Sequence, residues 1–311
     1  MKRNIFTLMT FTALCFIALS AEAQPRGGRG GGMVDKSGDV ILQNLIEENV
    51  PKFEQFTYSE QENGNTMQYN LFIPRDYDGS QNYPLVMFIA DASTVGKDVT
   101  VPLTQGYGAL VWVTEEDQRK HPCFVVVPQY TTVTVGDNGS TSYEVDMTIR
   151  LLDQVVKHYS IDPNRIYTTG QSMGGMMSLY FNIAYPDLFA ASVFVSCQWD
   201  ITGMGGFADH KFFYIVAAGD EKAPKGMAAL GEVLEKEAAC VTKAEWSAKL
   251  PEGEQNCLVE QMLEKGCDHN FITFTLGSVQ PEDGSGMEHM NSFDYAYKLS
   301  AVRDWLFRQS K

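Results

Sequence analysis

The most constraining stretch of the chain is Arg165-Ile166-Tyr167-Thr168-Thr169-Gly170-Gln171-Ser172-Met173-Gly174-Gly175, which continues into the apolar run Met176 to Tyr185. A short strand, then Gly-x-Ser-x-Gly, then a helix is the context in which this motif forms a nucleophile elbow, with serine at the tip of the strand. So tight a turn strains the backbone at the serine, and the flanking glycines let neighbouring chain approach closely. Ser172 is the residue that the rest of the chain has to explain.

A serine hydroxyl is a weak nucleophile at neutral pH. It needs a histidine to take its proton and a carboxylate to orient that histidine. With this elbow the three come in the order serine, acid, histidine, each on a loop after a sheet strand. Lys211 to Gly219 reads as a buried strand ending in the turn Gly219-Asp220, and Gly284-Ser285-Gly286-Met287-Glu288-His289 as a flexible loop before the last helix. The expected set is therefore Ser172, Asp220 and His289, with Asp200 and Glu221 as alternatives for the acid. His269 and His210 flank strand starts, at the wrong edge of the sheet. His121 and His158 precede the serine and read as structural or exposed.

Ahead of this region, Lys2 and Arg3, an apolar run from Ile5 to Leu19 and Ala21-Glu22-Ala23 have the three parts of a secretory signal peptide, cleaved after Ala23. The run is short for a membrane span, and Leu14 before Cys15 does not suit a lipoprotein site. Residues 24–39, with Arg26-Gly27-Gly28-Arg29-Gly30-Gly31-Gly32, read as a flexible linker. Residues 40–311 read as a single domain, with no repeat or internal boundary. The 311-residue chain carries −15, and the leader's net +1 leaves −16, an acidic surface that repels nucleic acid and anionic lipid. The expected product is exported, periplasmic or extracellular, with no stable membrane insertion.

Five cysteines follow the leader, so at least one is free or paired between chains. Cys123 and Cys197 sit in apolar runs and read as buried inert thiols. If a disulfide forms, its partners are expected among Cys240, Cys257 and Cys267. Zinc is not expected, because no paired C-x-x-C ligand pattern is present.

The periodicity predicts a mostly parallel sheet with helices on both faces and a leading antiparallel hairpin. Alternation on both sides of Glu62-Asn63-Gly64-Asn65 marks the hairpin. Continuous apolar strands are expected at Tyr83 to Ala90, Cys123 to Pro128, Ala191 to Cys197 and Lys211 to Gly219, with a last one at Asn270 to Leu276. Between them, helices are expected from about Gly108 to Arg119, after a capping box at Thr141-x-x-Glu144, and from Gly226 to Ala239. Thr242 to Leu250 reads as a strand or excursion and the helix near Glu254 to Lys265 as an insertion. Asn291 is expected to cap a closing helix. Such strand–helix alternation puts the ligand loops at the carboxyl ends of the strands.

From about Tyr69 to Phe307 the chain resembles the α/β-hydrolase superfamily, within it the secreted polyhydroxybutyrate depolymerase and feruloyl esterase-like branch, related to prolyl oligopeptidase-type catalytic domains. The resemblance rests on Tyr167-x-Thr169-Gly170-x-Ser172-x-Gly174-Gly175, on Gly219-Asp220 and on His289 ahead of an aromatic-rich terminal helix. It implies an α/β-hydrolase fold and a serine esterase with Ser172, Asp220 and His289 as nucleophile, acid and base. The backbone N–H of Met173 is the first oxyanion donor. Such enzymes often carry His-Gly after the third strand; here Ala90-Asp91-Ala92-Ser93 stands there, and the second donor is assigned to the N–H of Ala92. An aspartate beside a developing oxyanion is repulsive unless it turns away or is neutralised.

Gln198 and Trp199 are candidates for lining the substrate pocket, Trp199 by stacking on an aromatic or sugar-bearing ester; a core tryptophan is the other reading. The expected activity is cleavage of a small or polymer-linked carboxylic ester through an acyl-enzyme, with no metal or organic cofactor. A serine peptidase on the same residues is one alternative. A glycan- or polymer-binding protein that keeps the fold is the other.

Overall fold

The computed structural model describes residues 34–60, 63–200, 206–282 and 284–311. The leader, its cleavage site and residues 24–33 of the glycine-rich linker lie outside the described residues. Among the described residues, no helix is long and apolar enough to cross a membrane.

Strands made almost wholly of apolar residues can exist only where both sheet faces are covered, and such strands lie inside the sheet. In chain order the strands are β1 (Glu54–Ser59), β2 (Thr66–Phe72), β3 (Tyr83–Ile89), β4 (Phe124–Pro128), β5 (Ile161–Gln171), β6 (Ala191–Val195), β7 (Phe212–Ala217), β8 (Val241–Trp246) and β9 (His269–Phe274). They make one sheet in the order β1-β2-β4-β3-β5-β6-β7-β9-β8. β1 and β2 pair antiparallel from Ser59↔Thr66, β2 joins β4 antiparallel, and the pairings among β3 to β9 are parallel. The antiparallel hairpin thus leads the sheet as expected, with Gly64 at φ 73° in its turn.

The period of two along each strand divides the core into two layers. Val86 and Phe88 of β3 pack with Val193, Val195, Phe213 and Ile215 on one face. Leu85, Met87 and Ile89 pack with Val126, Phe194, Tyr214 and Val216 on the other. Ten helices are described: α1 (Val40–Asn49), α2 (Val101–Thr104), α3 (Tyr107–Leu110), α4 (Glu115–Lys120), α5 (Tyr143–His158), α6 (Met173–Ala184), α7 (Ala223–Lys236), α8 (Glu252–Leu263), α9 (Glu288–Lys298) and α10 (Ser300–Phe307). Residues of α3, α8, α9 and α10 cover the first face and those of α5, α6 and α7 the second.

Several local expectations give way to tertiary structure. The helix expected from Gly108 to Arg119 is three pieces, because the β-branched pair Val111 and Val113 lies in a 3-10 turn and Thr114 starts α4 afresh by accepting from the Asp117 N–H at 3.2 Å. α5 is capped by Ser142, not Thr141. Glu144 instead turns its carboxylate to the backbone N–H and hydroxyl groups of Thr131 and Thr132, which ties down the loop after β4. α7 begins at Ala223, three residues before Gly226, with proline in its first turn. The segment read as an insertion is a regular crossover: β8 is a parallel edge strand and α8 connects it to β9. The closing helix already begins at Glu288, so Asn291 does not cap it, and it breaks at Leu299 into α9 and α10.

The chain leaves β3 toward β4 on one side and crosses to β5 on the other. The crevice at such a reversal, outside the carboxyl ends of the strands, is where open α/β sheets bind ligands. The ends of β3, β5, β7 and β9 all emerge at that edge because their pairings are parallel.

Candidate active site

Ser172 stands between the last residue of β5 and the first of α6, with φ 50° and ψ −117°. This is a conformation that L-residues avoid, held only where the surroundings over-determine it. What over-determines it is visible in the glycines. A Cβ on Gly170 would lie 2.3 Å from the carbonyl carbon of Gly174, and one on Gly174 would lie 1.9 Å from the Ile89 oxygen. A Cβ on Gly175 would meet Cys197 at 2.7 Å. The ends of β3, β5 and α6 therefore touch backbone to backbone. The Ser172 N–H donates to Val195 O at 3.0 Å, which ties the turn to β6.

His289, in the first turn of α9, brings Nε2 to 2.9 Å from Ser172 Oγ and Nδ1 to 2.5 Å from Asp220 Oδ2. An ionised carboxylate can only accept, so Nδ1–H donates to Asp220 and Nε2 is left to accept from the serine hydroxyl. Asp220 follows β7 and is nearly buried, its side chain 3 % exposed against 26 % for His289. Burial pushes the Asp220 carboxyl up. The His289 hydrogen bond and charge, with the N–H groups of Lys222 and Ala223 on Oδ1 at 2.9 and 3.2 Å, outweigh it and leave the carboxyl below its ordinary range. Phe293, one turn along α9, meets the imidazole edge-on with centroids 5.2 Å apart.

The alternative residues lie elsewhere. Asp200 and Glu221 are exposed. His269 Nδ1 is 2.9 Å from Cys240 O, and burial holds His210 below the usual imidazole value. His121 pairs with Asp304 at 2.8 Å and stacks on Phe307.

Met173, the first residue of α6, and Ala92, the first of a 3-10 turn after β3, stand on either side of the close contact of Gly174 with Ile89 and Ala90. Asp91 is 3 % exposed. Its Oδ1 accepts from the Ser93 N–H at 2.7 Å and its Oδ2 from the Gln171 side chain at 3.1 Å, so one donor in the turn and one at the end of β5 occupy both carboxylate oxygens. Gln198 donates to Asp137 Oδ1 at 2.5 Å, and Asp137 also pairs with Lys222, which links the loops after β4, β6 and β7. Trp199 is half-buried against Tyr180, with centroids 5.7 Å apart.

Cys240 and Cys267 are disulfide-bonded, while Cys257 is free and exposed. Cys123 and Cys197 are buried, and burial pushes both thiols up. Among the described residues, no group of three or more His, Cys, Asp or Glu is arranged to hold a metal. A surface cavity of about 630 Å³ lies at the amino-terminal ends of β3 and β4 beside Arg75, Tyr83 and Arg119, and none of Ser172, Asp220 and His289 lines it.

Three contacts around the site had no reading in the sequence. Gln171 holds Asp91; Ser196, at φ 42°, shares a 2.6 Å hydroxyl contact with Ser292, which donates to His289 O at 2.8 Å; and Glu288 is buried beside His289. The x position of the motif is the one local cue that was available for Gln171.

The Esterase family model matches residues 60–246 of the chain. Over 87 residues, 28% of this chain and 27% of the other, the sequence is 32% identical to acetylxylan esterase A of Emericella nidulans. The crystal structure of a thermostable esterase superposes with TM-score 0.68 at 25% identity, over 85% of this chain and 64% of that one. A ferulic acid esterase shares the fold at TM-score 0.50 and 13% identity, over 83% and 98%. The chain thus spans about a quarter of the curated relative and less than two thirds of the thermostable esterase. By the extent of the family match, this chain belongs to the Esterase family, within the α/β-hydrolase superfamily.

Proposed function

We propose that the chain hydrolyses carboxylic esters with Ser172 as nucleophile, His289 as general base and acid, and Asp220 as the group that orients the imidazole. The observation that carries this reading is the unbroken hydrogen-bonded line from Ser172 Oγ through His289 to Asp220 at the switch point of the sheet. As Oγ attacks the ester carbonyl, its proton passes to Nε2, and the imidazolium is stabilised by the buried Asp220 carboxylate. The tetrahedral oxyanion forms beside the N–H groups of Met173 and Ala92, donors fixed before the reaction begins. His289 then protonates the leaving alcohol, and the acyl group stays on Ser172. Water, deprotonated by the same Nε2, releases the acid and restores the serine.

The substrate is an acyl ester of a small alcohol or of a polymer-bound hydroxyl. Half-buried Trp199 and Gln198, on the loop after β6, line the alcohol or acyl side in this reading. Export is part of the proposal. It is supported by the leader pattern and by the Cys240–Cys267 bridge, since disulfides persist mainly in oxidising compartments. Turnover of p-nitrophenyl acetate and of the matched anilide by the purified protein tests the reaction class. Ester turnover far above that of the anilide is expected, and equal rates would point to a peptidase instead.

A further inference from the structure

Glu288 immediately precedes His289 and is 7 % exposed. Its Oε2 accepts from the Gly219 N–H at 2.8 Å and its Oε1 from the Gly277 N–H at 2.7 Å. Gly219 immediately precedes Asp220. The contact between Glu288 and Gly219 therefore runs alongside the contact between His289 and Asp220, one residue earlier on each strand of chain. Gly277, at φ 77°, follows β9, so the same carboxylate also reaches the loop that delivers α9. Gly219 is fitted to this arrangement: a Cβ there would fall 2.3 Å from the Glu288 carboxyl carbon.

A buried carboxylate stabilises a structure only when its oxygens are matched by donors, and hydrogen bonds to a charged acceptor are shorter and stronger than neutral ones. Here the donors come from two loops that are remote from each other in the chain. A helix anchor alone would need one of them. Two, from the loops that carry the acid and the base, fix the distance between those loops.

We infer that Glu288 is a positioning residue, whose carboxylate sets the Asp220–His289 hydrogen bond by clamping the turns after β7 and β9 together. This rests on the reading of Ser172, Asp220 and His289 as the reacting set. Removing the clamp frees the Gly219-Asp220 turn to move by a fraction of an ångström without touching the alcohol or acyl pocket. A misplacement of about 1 Å costs on the order of a hundredfold in rate.

The test compares wild type, Ser172→Ala, Glu288→Ala, Glu288→Gln and Gly219→Ala in p-nitrophenyl ester hydrolysis, in thermal unfolding and by proton NMR of the His289 Nδ1–H resonance. Expected for Glu288→Ala is a kcat lower by roughly ten- to a hundredfold, KM within about twofold, and a shifted or lost Nδ1–H resonance. Glu288→Gln, which keeps one acceptor, should fall between Glu288→Ala and wild type. Gly219→Ala, which pushes the carboxylate away, should reproduce the loss, and with Glu288→Gln it carries the test if Glu288→Ala does not fold. Folded Glu288 and Gly219 variants with wild-type kcat and an unmoved resonance overturn the inference, as does a loss of stability with no change in the resonance. If wild type and Ser172→Ala turn over equally, the hydrolase reading fails, and the resonance alone still decides whether Glu288 positions His289.

Discussion

Gly174→Ala adds one methyl group at the most crowded point of the elbow. The new Cβ would stand 1.9 Å from Ile89 O, 2.5 Å from Ile89 C and 2.8 Å from Ala90 O, all of them backbone atoms that no rotamer change can remove. Real Cβ contacts do not fall under 3.0 Å, so α6 and the end of β3 must separate by at least the 1.1 Å between 1.9 and 3.0 Å. Overpacking of this kind costs about 1–3 kcal/mol and sometimes more, and rigid backbone on both sides puts this site at the upper end. The same displacement moves Met173 away from Ala92 and shifts Ser172 relative to His289. On the scale of about a hundredfold per ångström of misplacement, kcat should drop by about a hundredfold or more. Gly253→Ala is the control, because no heavy atom lies within 4 Å of its added Cβ. It should leave activity unchanged and gain up to about 1 kcal/mol from the smaller freedom of the unfolded chain. Urea unfolding and steady-state hydrolysis of a p-nitrophenyl ester measure both quantities. A folded Gly174→Ala protein with kcat within about fivefold of wild type would refute the close-packing explanation of the motif.

Replacing Asp220 by Asn should lower kcat by roughly 10³- to 10⁴-fold, because an amide can donate to Nδ1 and select the wrong tautomer. Since the Asp220 carboxyl lies below its ordinary range in the fold, the unfolded chain takes up that proton first as pH falls. Its contribution to stability is therefore complete above about pH 5 and lost progressively below about pH 4, so the wild type should lose unfolding free energy more steeply there than Asp220→Asn. Cys240→Ser opens a bridge across 27 residues and should cost about 3–4 kcal/mol in chemical unfolding; an unchanged midpoint would show that the bridge contributes nothing. Ser172→Gly should unfold at a higher urea concentration than Ser172→Ala, by about 1 kcal/mol, because glycine accepts the φ of 50° without strain.

The parts of the molecule that local chemistry specifies were readable in the chain. Ser172 carried a motif, Asp220 a Gly-Asp turn at the end of an apolar strand, and His289 the chain order. These three side chains meet in the structure. The all-apolar strands from Tyr83 onward marked a sheet covered on both faces, and Asn63-Gly64 marked the hairpin. Features set by distant partners were not readable. Glu288 looks like any acid in the first turn of a helix, and its acceptors' donors lie 69 and 11 residues away. Met287 before α9 is no capping residue, so Asn291 was the more plausible start, and no Pro or Gly announces the break at Leu299. β8 has the alternating burial of an edge strand and reads weakly for that reason. Asp91, a liability by sequence, is taken up by Ser93 and Gln171, a pairing across 80 residues in the second case.

The central claim is that Ser172 is an activated nucleophile, and fluorophosphonate labelling of the folded protein beside Ser172→Ala tests it most directly. The label should be found by mass spectrometry on Ser172, and ester turnover and labelling should both vanish in the mutant. A folded wild type that takes up no label, or a mutant that labels and turns over equally well, would contradict the assignment of Ser172, His289 and Asp220.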